Sequence, residues 1–539
     1  MTDLIKELPS VPKATYDPGR QCMDGTRKEV IAAALKWAST PGEPRVYWLS
    51  GQAGRGKTAI ATSIACALHD EKSLGGTFFF RRDDEERRQT DKVFSSIAYQ
   101  MSTAYEPLHT QICAVLSKDK DVGKYSPWQQ FKNLIHRPLQ AAQGFLHQPV
   151  VILFDALDEC GETDDDRRLF LLIIQKHLQL LPNTVKFIIT SRPDPDLKAA
   201  FQGMDGLVDN FDLDRHAADL VSQDIMEFFK VKLVDVALSH GLGSDWPDKP
   251  SLEALVQQAG GLFQWAKVAC DVIKDDDSDG PDAQLKFILE KTTSSAATPA
   301  LPSPWAALDT LYFQVLRPAA TAAGSRLPEF RDILATIVLA RSPLSALSLG
   351  RLLGVTAKIV QQRLRKLHSV VDVPNISEGD LRIIHPSFAD FLTNHSRCTD
   401  NDLYIHTTQH HGRLARMCLD RMQCDKGDTC ELADARGITP DLVKELHCSS
   451  LSYLADATYP RSFWSAHVSL STCEDAELVC LVWKFLSHNY LHAISFQQQS
   501  FLSQAMQRWA ILRPTLTVVD WALVMFCLCT SCDTGTESS

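Results

Sequence analysis

The sequence predicts an α/β domain built on a parallel, doubly wound sheet, followed by a helical domain, a winged helix and a C-terminal all-α region. Three observations carry the first part. The stretch Gly51-Gln52-Ala53-Gly54-Arg55-Gly56-Lys57-Thr58 lies between a short apolar run, Arg45 to Leu49, and a helical pattern, Thr58 to Leu68, in which Ile60, Ile64 and Leu68 are four apart. An all-apolar run, Val150 to Phe154, ends in Asp155-Ala156-Leu157-Asp158-Glu159. A third run, Val185 to Thr190, leads into Ser191-Arg192-Pro193. Short apolar strands alternating with helical patterns are the signature of a parallel sheet covered on both faces.

The glycine-rich stretch fits G-x-x-x-x-G-K-[ST], with Gly51, Gly56, Lys57 and Thr58 in the fixed places. Glycines at 51, 54 and 56 let the backbone turn tightly and aim N–H groups into one concavity, which suits an anion. Lys57 reaches outer phosphates as a point charge, and the Thr58 hydroxyl is a hard oxygen donor for Mg²⁺. A strand before the loop and a helix after it put a helix N-terminus beneath the phosphates.

Ahead of the loop, residues 1–20 read as a flexible lead. A helix (KEVIAAALKWA) follows Gly25-Thr26-Arg27, whose backbone lies either near a base or at an ordinary helix cap. After the loop helix, Gly75 to Phe80 reads as a buried strand; at its end Arg81 either approaches phosphate or, the favoured reading, forms with Arg82 a solvated pair balancing Asp83 to Glu86. Helical patterns follow at Asp91 to Ala104 and Trp128 to Phe145. Asp155 at a strand tip is placed to hold Mg²⁺; Asp158 and Glu159 stand where a base would polarise water. Arg192, at a neighbouring strand tip, is placed to sense a γ-phosphate. Leu207 to Leu213 reads as the last strand.

The domain plan is then 21–213 for nucleotide binding, 214–280 helical, 281–325 a linker with one connecting helix, 326–398 a winged helix, 399–530 a helical region and 531–539 a loose tail. Three short helices and a hairpin turning at Glu378-Gly379-Asp380 give the winged-helix outline. Its third helix carries Lys358, Arg363, Arg365 and Lys366, either facing DNA or forming a solvated face. His406 and His410 are four apart on a helix that reads as polar and exposed; no third metal ligand stands near them.

Composition narrows the function. The chain has 539 residues, 45% apolar and 22% charged, enough for several globular domains. A net charge of −11 argues against nucleic acid or an anionic membrane as the general partner, and favours the solvated face over DNA contact. Fifteen cysteines, an odd number without paired C-x₂-C spacing, suit a reducing compartment; Cys527, Cys529 and Cys532 cluster without completing a zinc pattern. The N-terminus lacks an apolar leader, and the run Trp521 to Cys532 is too short to span a bilayer. The expectation is a cytoplasmic protein.

With Gly51–Thr58, Asp155–Glu159 and Thr190–Pro193 together, the chain resembles the NACHT domains of the STAND class of signalling ATPases. It is most similar to mushroom-type fungal NACHT proteins with a nephrocystin-3-like N-terminal domain. The segments WLSGQAGRGKTAIA, FFFRR, SSIAYQ, ILFDALDEC, FIITSRPDPD, GGLFQWA and LDTLYFQVL carry this resemblance, in order, over about residues 20–400. It implies ATP or GTP bound with Mg²⁺, slow hydrolysis, an ADP-held closed state and self-association after exchange, with a protein partner that the sequence does not name. The implied cofactor set is Gly51, Gly54, Arg55, Gly56, Lys57, Thr58 and Ala59, with Thr58 and Asp155 for the metal. Asp158, Glu159 and Arg192 are implied in hydrolysis, and His385, in I-H-P-S-F-x-D-F-L, in touching the β-phosphate of ADP. Arg55 departs from the usual small residue of the loop, and no proline follows Gly261. Two rivals remain: a winged-helix, DNA-binding AAA-type regulator, and a nucleotide-binding scaffold without turnover. The absence of an N-K-x-D guanine motif tilts the base towards adenine.

Overall fold

The structure, a computed structural model, describes residues 2–40, 44–161, 164–204, 206–243, 245–274, 280–293, 305–424, 458–471, 477–478 and 481–482. The expected cysteine cluster at 527–532 and the tail after 530 lie outside the described residues. The chain divides into two compact units, Met1–Tyr312 and Phe313–Ser539.

The first unit is organised by five parallel strands, β1 (Val46–Ser50), β2 (Leu74–Phe79), β3 (Val150–Asp155), β4 (Val185–Ser191) and β5 (Val208–Asp212), in the order β2-β3-β4-β1-β5. Strands β1 to β4 are buried along their whole length, as continuous apolar runs require. Alternate side chains feed two cores. Trp48, Phe78, Ile152, Phe154, Phe187 and Ile189 face one side. Tyr47, Leu49, Phe79, Val151, Leu153 and Ile188 face the other, against the helices Lys28–Ser39 and Lys57–Asp70. Because β4 lies between β1 and β3, the chain segments leaving those three strands emerge side by side. The strand order reverses at β1, where α/β sheets open a crevice. Helices Ala218–Ser239, Lys249–Ala259 and Phe263–Ile273 follow the sheet.

One expectation is corrected here. Residues 2–20 are not a loose lead. Ile5, Leu8, Val11 and Ala14 are buried in the core of the sheet, and the Val11 amide donates to Ser96 Oγ at 3.0 Å. These apolar residues stand three apart among prolines and polar residues, so no run marks them. The helical expectation for 128–145 holds, with a π-helical stretch, Phe131–His136, inside it. Residues 281–325 contain two helices, Pro281–Thr293 and Ala306–Ala323.

In the second unit, helices Leu327–Leu339, Ala346–Leu353 and Ala357–Leu364 accompany a small antiparallel sheet of β6 (Leu344–Ser345), β7 (Val371–Asp372) and β8 (Asp380–Ile383), ordered β6-β8-β7. Ser345 Oγ accepts from the Ser348 amide and Thr356 Oγ1 from the Ile359 amide, capping the second and third helices. Helices Thr407–Cys424 and Thr458–Leu470 follow, joined by a hydrogen bond between His411 Nδ1 and His467 Nδ1 at 2.9 Å. The expectation of an exposed polar histidine face fails: His406 is exposed, but His410 and His411 are buried. Among the described residues no group of three or more His, Cys, Asp or Glu could hold a metal, and no helix is long and apolar enough to cross a membrane.

Candidate functional site

The loop from Gly51 to Gly56 leaves β1 and delivers Lys57 and Thr58 to the first turn of the helix Lys57–Asp70. Gly54 and Gly56 have φ of 80° and 87°, a left-handed backbone that a side chain would strain. Lys57 Nζ donates to the Gly51 and Gln52 carbonyls at 2.6 and 3.1 Å, which folds the ammonium over the loop. Burial pulls this ammonium below its ordinary pKa, while Asp158 and Asp155 oppose the shift.

Asp155 ends β3 and is 1% exposed. Its Oδ2 accepts from Thr58 Oγ1 at 2.8 Å and its Oδ1 from Thr190 Oγ1 at 2.6 Å. Thr190 in turn accepts from the Ala156 amide at 3.0 Å. Burial raises the Asp155 carboxyl above its usual value against the pull of both hydroxyls. A carboxylate and a hydroxyl 2.8 Å apart at the start of a helix form a hard-oxygen donor pair, so these residues fit Mg²⁺.

The two acids that follow are placed differently. Asp158 is buried and spends both oxygens on Arg192: Oδ1 accepts from the backbone amide and Oδ2 pairs with Nε, each at 3.0 Å. Glu159 is half-buried and accepts from the Arg82 amide at 3.2 Å. Burial raises its carboxyl to about 7, despite the Arg82 cation nearby. The end of β2 is therefore more than a solvated arginine pair: Arg81 pairs with Asp83 at 2.5 Å, and the Arg82 backbone holds Glu159.

The outer wall of the loop faces other segments. Arg55 Nε donates to Asp214 Oδ1 at 2.8 Å and its Nη1 to the Gly261 carbonyl at 3.0 Å. Asp214 Oδ2 accepts from the Gln52 amide at 3.0 Å. Arg27 Nη2 donates to the Arg55 carbonyl at 2.9 Å. Beside this wall an open groove of about 870 Å³ runs between β5 and the helix Pro195–Gln202, lined in part by Trp48, Phe201, Met204, Asn210 and His216; Lys57 and Asp155 are outside it.

Thus Gly51, Gly54, Arg55, Gly56, Lys57, Thr58 and Ala59 form one loop and helix start, and Thr58 meets Asp155 across 97 residues. Asp158 joins Arg192. His385 belongs to the second unit, where its Nδ1 accepts from the Ser387 amide at 3.2 Å and caps the helix Pro386–Leu392. Sequence reasoning overlooked Thr190, Asp214 and the side chain of Arg27. Thr190 looks like any β-branched strand residue. Asp214 could have been found from its place just after β5, since a strand pairing with β1 must end beside the loop.

Comparison with known proteins gives one family match. Residues 26–192 fit the family profile described as Nephrocystin 3, N-terminal, which is under a third of the chain. No curated protein matches. Among solved structures, a STAND protein with a tetratricopeptide repeat sensor from Pyrococcus horikoshii is 10% identical, with 99% of this chain and 69% of that one covered and a TM-score of 0.39. A Walker-type ATPase of Pyrococcus abyssi is 14% identical over 69% and 97% of the two chains, with a TM-score of 0.33. Cdc6p from Pyrobaculum aerophilum is 12% identical over 70% and 98%, with a TM-score of 0.31. Likenesses this slight carry no argument about function.

Proposed function

We propose that the first unit binds ATP, or GTP, with Mg²⁺ and hydrolyses it slowly, and that the chain is a STAND/NACHT-type signalling switch. The observation that carries this reading is the meeting of Thr58 with Asp155 beneath a loop whose lysine is already folded over its carbonyls. Bound Mg²⁺ would neutralise charge on the phosphate oxygens. Thr58 and Asp155 would hold it, with Thr190 fixing the carboxylate. Lys57 would exchange its two carbonyls for phosphate oxygens. Glu159, poised near neutrality, would take the proton of an attacking water at Oε1, while Asp158 keeps Arg192 at hand for the γ-phosphate.

In this reading residues 326–398 are a winged helix, His385 contacts the β-phosphate in the ADP state, and ATP exchange leads to self-association in the cytoplasm. Nucleotide identity would then bias interdomain geometry, as a switch requires. The test is nucleotide release from purified protein with identification of the base, together with an ATP–Mg²⁺ titration. Lys57→Ala should weaken binding by about 100-fold, roughly 2.7 kcal/mol. Equal affinity in that variant would sink the assignment.

The DNA-binding reading is weakened by one contact: Arg363 pairs with Glu329 at 2.8 Å, which removes one cation from the face meant for phosphate. The scaffold reading without turnover rests on Asp158 being fully engaged by Arg192. Glu159→Gln separates it from the switch.

A further inference from the structure

We propose that Arg55 is a positioning residue with two effects: through Asp214 and Gly261 it ties the outer wall of the phosphate loop to the segment that opens helix Phe263–Ile273, and by neutralising Asp214 it lets the loop accept phosphate. The inference rests on the nucleotide reading and deepens it by naming what the loop is coupled to.

Position 55 is a variable place in the loop motif, where a side chain is free to point away from the ligand. Here it does so. The guanidinium reaches two partners at once, Asp214 at 2.8 Å and the Gly261 carbonyl at 3.0 Å. A planar fork can hold a carboxylate and a carbonyl together; a single ammonium holds two such partners poorly. Gly261 is in the left-handed region with φ of 80°, and a Cβ there would overlap Arg55 Nη1. Arg55 Nη1 thus occupies the place a side chain at 261 would take.

The tie has parallel strands. The Gln264 amide donates to the Gly54 carbonyl at 3.1 Å, and a Cβ on Gly54 would come within 3.1 Å of Gln264 Cβ. The Arg55 carbonyl is held by Arg27 Nη2, and the Arg27 guanidinium, 3% exposed, lies 4.7 Å over the Phe263 ring. Residues 54 and 55 of the loop therefore touch 261 and 264 directly and 263 through Arg27.

Charge gives the tie a direction. Asp214 holds the Gln52 amide as well as Arg55, so its carboxylate stands beside loop N–H groups that suit an anion. Arg55 compensates that charge. Without it, Asp214 would repel phosphate and compete for the Gln52 amide. Arg55 so favours nucleotide binding without touching the nucleotide.

The test uses the full chain with Arg55→Ala, Arg55→Lys, Asp214→Asn and the double variant Arg55→Ala/Asp214→Asn. It measures affinity for ATP and ADP with Mg²⁺ and amide hydrogen exchange across residues 260–266 without added nucleotide. Arg55→Ala should weaken ATP and ADP alike by about tenfold and speed exchange by about tenfold. The double variant should recover most of the affinity but not the slow exchange, because the stray carboxylate is gone and the tether still cut. Arg55→Lys, which keeps the charge but not the fork, should lose protection and weaken affinity less than Arg55→Ala does. If Arg55→Ala does not fold, Asp214→Asn alone should speed exchange at Gln52 and across 261–264. Loss confined to ATP, with exchange unchanged and no rescue by Asp214→Asn, would make Arg55 a direct phosphate ligand and overturn the proposal. Unchanged affinity in Arg55→Ala, with Lys57→Ala still losing ATP, would overturn it while sparing the nucleotide reading. A wild-type chain that binds neither nucleotide would end both.

Discussion

Two buried polar clusters, one in each compact unit, are held by different means. At the C-terminal ends of β3 and β4 the buried groups are ionic and nearly matched: Asp158 on Arg192, Asp155 on two hydroxyls, Glu159 on a backbone amide beside Arg82. In the second unit the cluster is a chain of histidine and tyrosine side chains, with the buried Arg341 beside it. His411 and His467 share a hydrogen bond, His467 Nε2 meets Tyr459 Oη at 2.8 Å, and Tyr459 Oη accepts from the Arg341 amide at 3.2 Å. Burial lowers the pKa of His410, His411 and His467, the first two to about 4. The contrast separates a site from a core. Ionic groups held by exchangeable partners can answer a charged ligand, whereas a neutral chain closed on itself serves packing.

The comparison breaks most sharply at Glu159. Its replacement by Gln should cut turnover by ~100-fold or more while ATP affinity stays within a few fold. Since the carboxyl is raised to about 7 and a base acts when ionised, wild-type turnover should fall as pH drops below about 7; the variant should lose that limb. Single-turnover hydrolysis across pH checks both, and equal turnover in the two proteins would leave Glu159 without a role. Next, Asp158→Asn should cost about 3 kcal/mol, because it leaves a largely buried guanidinium half-paired. Urea unfolding monitored in the first unit reads that loss, and a change below 0.5 kcal/mol would mean that Arg192 finds other partners.

The neutral chain makes a prediction of its own. Histidines held below their ordinary value of 6.5 favour the fold most above 6.5, and that contribution is lost as pH falls towards 4. For His411 the loss approaches about 3 kcal/mol. Melting temperature should decline over that window, and His411→Gln, which hydrogen-bonds but does not titrate, should flatten the decline. The smallest effect concerns the helix Ala357–Leu364 and its flank. Charge reversal of Lys358 and Lys366 should leave mobility on duplex DNA unchanged, with a near-zero salt slope; a steep slope in wild type would restore the DNA reading.

Most of the sheet was legible because β1 to β4 are short apolar runs punctuated by chemistry: glycines after β1, Asp155 closing β3, Arg192 after β4. A buried strand has no polar face to blur the signal, so its end is marked by the first charge. The outer wall of the loop was not legible. Asp214 and Arg55 are 159 residues apart, and each alone reads as a solvated charge. His410 and His411 were misread for a related reason: a polar residue facing a buried polar partner has the same letter as one facing water. Thr190 was hidden by its own suitability for a strand.

The packed N-terminal stretch bears on how this protein should be cut. Similarity to the known family begins at residue 26, yet Ile5, Leu8, Val11 and Ala14 wall one side of the sheet's core, and the Tyr16 amide donates to Thr77 Oγ1 at 3.3 Å. A fragment trimmed to the matched span would open that wall to water and also discard β5, which pairs with the strand bearing the phosphate loop. Boundaries chosen by likeness would thus yield a sticky, half-covered sheet; boundaries chosen by packing start at the first helix and run past Ile273.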